Sequence, residues 1–106
     1  ARDRMGVKPL HYALLPDGTL IFGSELKVLT AHPGFARQID PHAVEEYFAL
    51  GYVADPRCIY RNAHKLPPAH TLTLRHGVQQ LPPPVPYWDV HFTLDSTISL
   101  PEAQPE

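Results

Sequence analysis

The chain has 106 residues, of which 43% are apolar and 19% charged, and this profile is typical of one soluble globular domain. A coiled coil and a fully disordered tail are therefore excluded. Nine Lys/Arg against eleven Asp/Glu give a net charge of −2, with the signs interspersed, which argues against nucleic acid as the main partner. No apolar run approaches the ~20 residues of a membrane span and no signal core follows the N-terminus, so we expect neither membrane insertion nor secretion. The single cysteine, Cys58, excludes an internal disulfide and fits a reducing cytoplasm.

Both ends of the chain suggest a piece of a longer protein. The first residue is Ala1, not an initiator Met, and Ser99-Leu100-Pro101-Glu102 has the character of a helix start with no apolar run behind it.

The first predicted element is a β-hairpin over residues 11–22. Two apolar runs, His11–Leu15 and Thr19–Phe22, flank Pro16-Asp17-Gly18, which has the composition of a turn. The apolar residues are consecutive and do not alternate, which favours strands covered on both faces, as in a layered sandwich.

Two short helices are predicted next. Ser24 is the expected N-cap of the first, with Glu25 in its first turn, Leu26 and Leu29 on one face, and Pro33-Gly34 at its end. Asp40-Pro41 begins the second, and Gly51 ends it. The spacing in the second helix predicts a buried stripe of Val44, Tyr47 and Phe48, with His42, Glu45, Glu46 and Ala49 nearer solvent.

Residues 52–69 lack a sustained period and predict an irregular connector anchored by Val53, Ile59, Tyr60 and Leu66. Alternation then returns, and His76-Gly77 predicts the turn of a second hairpin over 71–81. The proline run 82–86 predicts an edge strand or a polyproline-like bridge before Tyr87-Trp88, and residues from Thr93 onward resemble a linker.

No catalytic or metal site emerges from the residue types and their spacing. Cys58 has no histidine placed beside it in sequence, so packing is the stronger interpretation. The histidines show no metal-ligand spacing; they are His11, His32, His42, His64, His70, His76 and His91. Glu45 and Glu46 are adjacent on a helix and point about 100° apart, so they cannot form a paired-carboxylate site alone.

Two further groups of residues allow a binding interpretation and a structural one. Arg2-Asp3-Arg4 and Lys8 could hold an anion, but an ion-pair network that fixes the end of a sheet is the commoner arrangement. The proline segments at 64–68 and 82–86 could be ligands for a polyproline-binding partner, although prolines that join strands are more frequent.

The order of the short motifs is more informative than any one of them. The segment Arg2-Asp3-Arg4-Met5-Gly6-Val7-Lys8-Pro9-Leu10, followed by Tyr12, resembles the R-D-x-x-G-x-K-P-L-x-Y motif of class II glutamine amidotransferase domains, in particular glutamine-hydrolysing asparagine synthetase. Further segments resemble motifs of that family in the same order: Gly23–Leu29, Ile39–Tyr47, Gly51–Tyr52–Val53, Ile59–Tyr60–Arg61, Lys65–His70 and Tyr87–Trp88–Asp89.

The resemblance implies an α+β fold, part of an Ntn-hydrolase αββα sandwich with antiparallel hairpins and two short helices. In that family an N-terminal cysteine hydrolyses glutamine, and the ammonia passes to a synthetase domain that activates aspartate with ATP and magnesium. The nucleophile and the glutamine-binding residues would precede Ala1, and the pyrophosphate loop would follow Glu106. The resemblance therefore carries no catalytic, cofactor-binding or metal-binding residue into this chain.

Two positions depart from the family pattern. Cys58 replaces the usual threonine, and an internal cysteine has no α-amino group to act as its base. Ala69 stands where the family has glycine, so a positive φ there would strain the backbone. The sequences of residues 51–56 and 65–72 are most similar to those of the exosortase-associated, asparagine-synthetase-like amidotransferases.

The sequence thus predicts that residues 1–92 are the C-terminal half of a glutamine amidotransferase domain and that residues 93–106 are a linker towards a synthetase domain. The chain alone is expected to be inactive, within a cytoplasmic parent that uses glutamine and aspartate. The alternative is a free-standing interaction module that binds through its prolines and strand edges. Because a divided sandwich exposes strand edges, we also predict a homodimer through the 11–22 hairpin.

Overall fold

The computed structural model describes residues 1–94 and shows a mixed α+β arrangement. Its elements in chain order are β1 (His11–Leu14), β2 (Leu20–Gly23), α1 (Leu26–Thr30), α2 (Pro41–Leu50), β3 (His64–Lys65), β4 (His70–Thr71) and β5 (Val85–Pro86). Strands β2-β1-β3 form one antiparallel sheet and β4-β5 a second. In this part of the chain no helix has the length and apolar character needed to cross a membrane.

The predicted first hairpin is confirmed. Strands β1 and β2 pair antiparallel, with Tyr12 opposite Phe22. In the turn, a carboxylate oxygen of Asp17 accepts the Thr19 N–H at 3.0 Å, and the Leu15 N–H donates to the Thr19 carbonyl at 2.8 Å. The turn predicted at Pro16-Asp17-Gly18 therefore connects the two strands.

Helix α1 is present, but its predicted boundaries are wrong. Ser24 is not the N-cap: Glu25 occupies that position with extended backbone and no side-chain capping bond, and the helix ends at Thr30, before Pro33. A Cβ on Gly23 would lie 2.8 Å from a side-chain carbon of Val28, so the end of β2 and helix α1 pack closely against each other. The shared face is confirmed, because Leu29 is fully buried and Leu26 packs against the same core.

Helix α2 begins and ends where the sequence predicts. Asp40 accepts the His42 N–H at 3.0 Å, and Gly51, at φ 81°, donates its N–H to the Tyr47 carbonyl at 2.7 Å. The left-handed φ at Gly51 is the conformation that glycine adopts at helix ends.

The predicted burial of α2 is wrong for Tyr47, Phe48 and Glu46. The predicted exposure of His42, Glu45 and Ala49 is confirmed, and Val44 is half-buried. Ala43 is its buried residue, whereas Tyr47 is 54% and Phe48 82% exposed. Glu46 lies on the inward side with Ala43, where its carboxylate accepts the Ala54 N–H at 3.0 Å. The side of α2 that contacts the connector therefore includes a charged residue, and the rings of Tyr47 and Phe48 lie on the exposed side.

The predicted second hairpin is also wrong in its pairing. A turn does occur at 75–78, where the Val78 N–H donates to the Arg75 carbonyl. The strand after Ala69 nevertheless pairs with β5, with Thr71 opposite Val85, and not with 78–81. The edge role predicted for the proline run is confirmed at Val85–Pro86, because Pro86 supplies no N–H to a ladder.

The core lies between the hairpin, α1 and the connector. Its buried members are Ala13, Leu15, Leu29, Phe35, Cys58 and Ala63, and Phe35 meets the ring of Tyr60 edge-on at 5.5 Å. Of the predicted anchors, Leu66 is buried, while Val53, Ile59 and Tyr60 are half-buried. The complete αββα sandwich stays a prediction. The helix start at Ser99–Glu102, and the predicted linker from residue 95 onward, lie outside the described residues.

Candidate functional site

The side chain of Arg2 joins three segments of the chain, namely its own loop, the region of Asp55 and the region of Leu66. Its guanidinium donates to the carbonyls of Lys8 (2.9 Å), Leu66 (2.7 Å) and Gly6 (3.0 Å) and to a carboxylate oxygen of Asp55 (3.0 Å). Only 10% of this side chain is exposed. Four of its five N–H donors therefore have acceptors in the chain itself, which favours a structural network over an anion-binding site.

Asp3, next to Arg2, stabilises the loop of residues 2–8 through its side chain. Its carboxylate accepts the backbone N–H of Val7 at 2.8 Å and of Lys8 at 3.2 Å. These bonds to the charged form, led by the one from Val7, lower the pKa of Asp3 below its ordinary value. The Asp3 carbonyl also accepts the N–H of Ala69, which ties the loop to the connector.

Two backbone positions show how tightly these segments pack. Gly6 has φ +65°, and a Cβ there would lie 2.6 Å from Cγ of Pro68, so glycine is required. Ala69 has φ 60° although it carries a Cβ. The positive φ that the family's glycine suggests for this position is confirmed, and such a φ strains an alanine.

Tyr87 and Trp88 contact the loop of residues 2–8. The Tyr87 hydroxyl donates to the Arg2 carbonyl, and the Tyr87 N–H donates to the Ala69 carbonyl at 2.9 Å. The Arg4 guanidinium lies 5.5 Å from the ring centroid of Trp88, within cation–π range. Motifs far apart in sequence thus meet in one cluster, which we call the Arg2 cluster: residues 2–8, 55, 65–70 and 87–88.

The ion-pair partners of this cluster were missed in the sequence. Lys65 lies 3.6 Å from Asp55 and donates its ammonium to the Val53 carbonyl. Asp55 follows no recognisable spacing from Arg2, 53 residues away, so no local pattern could have paired them. The peptide bond between Asp55 and Pro56 is cis.

Two histidines lie in the sheet beside the cluster. His11 pairs with Lys65 across β1 and β3, and its buried Nδ1 has no partner among the described residues. Burial is the main cause that lowers the pKa of His11, with Lys65 and Arg2 acting in the same direction. Burial also lowers the pKa of His64, whose ring lies 5.5 Å from that of Tyr12.

A second polar network holds α2 to the connector. Arg57 donates to Glu46 at 2.9 Å and lies 3.9 Å from Asp40. The network lines a cleft of about 320 Å³ that also includes Cys58 and His64. The carboxylate of Glu46 accepts the Ala54 N–H, and that of Asp40 accepts the His42 N–H. Both carboxylates therefore stabilise the attachment of α2, which favours a structural role for the cleft.

The candidate nucleophile and metal ligands do not form a site in the described region. Cys58 is only 3% exposed and belongs to the apolar core, which agrees with its interpretation as a packing residue. Across residues 1–94 no three His, Cys, Asp or Glu side chains come together as metal ligands. Nor are the adjacent Glu45 and Glu46 a pair, because Glu46 faces the connector and Glu45 is exposed.

Comparison with known proteins agrees with the motif order. The family model of the glutamine amidotransferase domain matches residues 1–88, most of the chain and all of the Arg2 cluster. The chain belongs to the glutamine amidotransferase domain family. No solved structure gives a significant match.

Three relatives illustrate the similarity. The chain is 39% identical over 74 residues to asparagine synthetase [glutamine-hydrolyzing] 3 of Bacillus subtilis, covering 69% of the chain and 12% of the relative. It is 46% identical over 69 residues to putative asparagine synthetase [glutamine-hydrolyzing] 2 of Methanocaldococcus jannaschii, covering 62% of the chain and 13% of the relative. Asparagine synthetase [glutamine-hydrolyzing] 1 of B. subtilis is 32% identical over 75 residues, or 71% of the chain and 12% of the relative. The chain therefore matches only a small part of these relatives' length.

Proposed function

We propose that this amidotransferase-family chain is the C-terminal half of the glutamine-hydrolysing domain of an asparagine-synthetase-like protein. The observation that carries the proposal is the Arg2 cluster, because segments that resemble the family in sequence order also bond to one another in space. The names of the relatives point to the same chemistry, which is release of ammonia from glutamine for amide formation.

In this proposal residues 1–92 are a scaffold. The Arg2 cluster fixes the loop 2–8 against the connector, and the β1–β2 hairpin offers its outer edge to further strands of an Ntn-hydrolase sandwich. The nucleophilic cysteine and the glutamine-binding groups belong to polypeptide before Ala1. By the resemblance to the family, ATP and magnesium are assigned to a synthetase domain beyond Glu106 that uses aspartate in a cytoplasmic parent.

A glutaminase assay tests the assignment. The isolated chain, incubated with glutamine, should release no glutamate above a buffer blank, and the Cys58→Ala variant should behave identically. A longer polypeptide that begins with Met-Cys and contains this segment should hydrolyse glutamine, and replacing that first cysteine with alanine should abolish the hydrolysis. Glutamate release by the isolated chain that Cys58→Ala removes would overturn the proposal.

The alternative, an interaction module that presents its prolines, has less support. Pro82 and Pro84 are half-buried and line a cleft with Tyr12 and His64 of the same chain. A proline run engaged in this way offers a partner only part of its surface. The upstream gene sequence separates the two: a start codon at Ala1 supports the module, and a Met-Cys start with an N-G-E segment supports the amidotransferase.

A further inference from the structure

Both faces of the β1–β2 hairpin carry apolar side chains. Side chains alternate between the two faces of a strand, so Ala13 and Leu15 lie on one face and Tyr12 on the other. Ala13 and Leu15 belong to the core that the hairpin forms with α1. Phe22 is the partner of Tyr12 in the strand pairing and shares its face. A sheet face that meets water carries polar side chains, so this second face has the composition of a surface that is covered in the complete protein.

The second face borders an apolar cavity of about 430 Å³. Every side chain that lines the cavity is aliphatic or aromatic, and those at its centre are Leu10, Tyr12, Leu20, Phe22, Leu72 and Leu74. We call these six residues the Phe22 groove. Leu72 and Leu74 are half-buried, yet Phe22 is still 64% exposed. The described residues therefore cover the second face only in part.

The first residue of the chain lies at the same groove. Ala1 lines the cavity, and the next residue is fixed in place. The backbone N–H of Arg2 donates to the His70 carbonyl at 3.0 Å, and the Arg2 side chain is bonded within the Arg2 cluster. Polypeptide joined to Ala1 would therefore leave the described structure beside the Phe22 groove.

We propose that the Phe22 groove is the docking surface for the polypeptide that precedes Ala1, which fills the groove with apolar side chains. The inference rests on the proposed function, because that function places the other half of the domain before Ala1. The chemistry of the groove decides the kind of side chain it receives. Its lining gives water few hydrogen-bond partners, whereas apolar side chains would gain close contacts with Phe22 and its neighbours.

A covalently attached segment fits the groove better than a second copy of the chain, which is the rival occupant because the sequence predicts a homodimer through the 11–22 hairpin. Attachment at Ala1 holds the segment at a high effective concentration whatever the concentration of the protein. A two-fold axis would instead bring the same concave surface of two copies together. Two facing concavities leave both cavities unfilled, so the observed shape favours the attached segment.

Thiol labelling at position 22 tests the proposal. Phe22→Cys is made in the 106-residue chain and in the longer polypeptide that begins with Met-Cys and contains this segment, and both are treated with N-ethylmaleimide. Mass spectrometry follows the peptide that holds position 22, and native Cys58 is buried. Labelling should be at least about 10-fold slower in the longer polypeptide, because only local opening would expose the thiol there. Thr73→Cys, exposed between Leu72 and Leu74, is the control and should react equally in both.

Hydrogen exchange gives a second measurement that needs no substitution. In the wild-type longer polypeptide the amides of residues 20–23 should exchange at least about 10-fold more slowly than in the 106-residue chain, since the groove is covered only in the longer protein. This result does not depend on the folding of a variant.

Unchanged labelling at position 22 or unchanged exchange over 20–23 overturns the proposal, as does equal protection of Thr73→Cys. Protection in the 106-residue chain that grows with its concentration overturns it in favour of a second copy. Protection in that chain that is lost on deletion of residues 95–106 overturns it in favour of the chain's own C-terminal segment. Glutamine hydrolysis is measured separately: a longer polypeptide that shields position 22 without hydrolysis contradicts the proposed function alone, and hydrolysis with a freely reactive position 22 contradicts the docking alone.

Discussion

The Arg2 cluster and helix α2 are attached to this protein in opposite ways. In the Arg2 cluster one guanidinium and several backbone groups join segments that are up to 85 residues apart, and the Arg2 side chain is 10% exposed. Helix α2 has near-complete local signals at both ends, yet it is held by few contacts and turns its rings outward. Motif residues therefore mark where distant segments join, whereas helix signals fix an element without fixing its environment.

The largest effect expected from the loss of a polar contact is that of removing the Arg2 guanidinium. Arg2→Met keeps an apolar stem but leaves the Leu66 and Gly6 carbonyls and Asp55 without their donor, so the free energy of unfolding should fall by about 3 kcal/mol. Arg57→Met, in the α2 network and 48% exposed, should cost below about 1 kcal/mol. Urea unfolding measures both, and equal midpoints would show that the two regions do not differ.

The adjacent helix glutamates should differ by a smaller amount. Glu46→Ala removes the acceptor of the Ala54 N–H and of Arg57, so we expect a cost of about 1–2 kcal/mol. Glu45→Ala, on the exposed side, should stay within about 0.5 kcal/mol. Urea unfolding compares the two variants. A larger loss of unfolding free energy for Glu45→Ala than for Glu46→Ala would mean that the opposite face of the helix is buried.

Relief of backbone strain should stabilise the Arg2 cluster. Ala69→Gly removes a Cβ from a left-handed residue and should raise the free energy of unfolding by about 0.5–1 kcal/mol. Ala63→Gly is the control, because Ala63 is equally buried without a positive φ and should lose stability. Thermal melts compare the two, and a lower melting temperature for Ala69→Gly would contradict the strain argument.

The two histidines of the sheet predict the direction of the pH dependence. Their folded pKa values lie below the ~6.5 of the unfolded chain, so the unfolded state binds more protons as the pH falls. Stability should be complete above pH ~6.5 and decline as the pH drops towards the folded values.

The matching variants are His11→Gln with His64→Gln, which together should flatten the decline between about pH 7 and pH 5. His42→Gln, exposed on α2, should retain the wild-type slope. Stability that stays level or rises on acidification of the wild type would contradict this assignment.

The smallest effect is expected for Phe48 in the dilute monomer. Because Phe48 is 82% exposed, Phe48→Ala should change the stability of the monomer by no more than about 0.5 kcal/mol. Leu66→Ala, at a residue 1% exposed beside the Arg2 cluster, should cost about 2–5 kcal/mol. Unfolding measured at nanomolar concentration separates this result from any contact between copies. A large loss of stability for Phe48→Ala would show that Phe48 is buried, as helix periodicity predicts.

Several features of the fold could be predicted because they depend on neighbours in sequence. The Asp17 turn, the Asp40 cap with Pro41, and the Gly51 stop each close a hydrogen bond within four residues. The strain at Ala69 followed from the resemblance to a family that has glycine there. The candidate site was predictable only as a set of ordered motifs.

What the sequence determined by itself was the family and the local elements, since short-range bonding and motif order depend on residue identity alone. Tertiary structure alone decided the pairing of β4 with β5, the partner of Arg2, and the face of α2 that is buried. Periodicity shows that a helix has an apolar side, but it does not contain the bonds that Ala54 and Arg57 donate to Glu46 on the inward side of α2. Such contacts are chosen by competition among all segments of the folded chain, so no local pattern contains them.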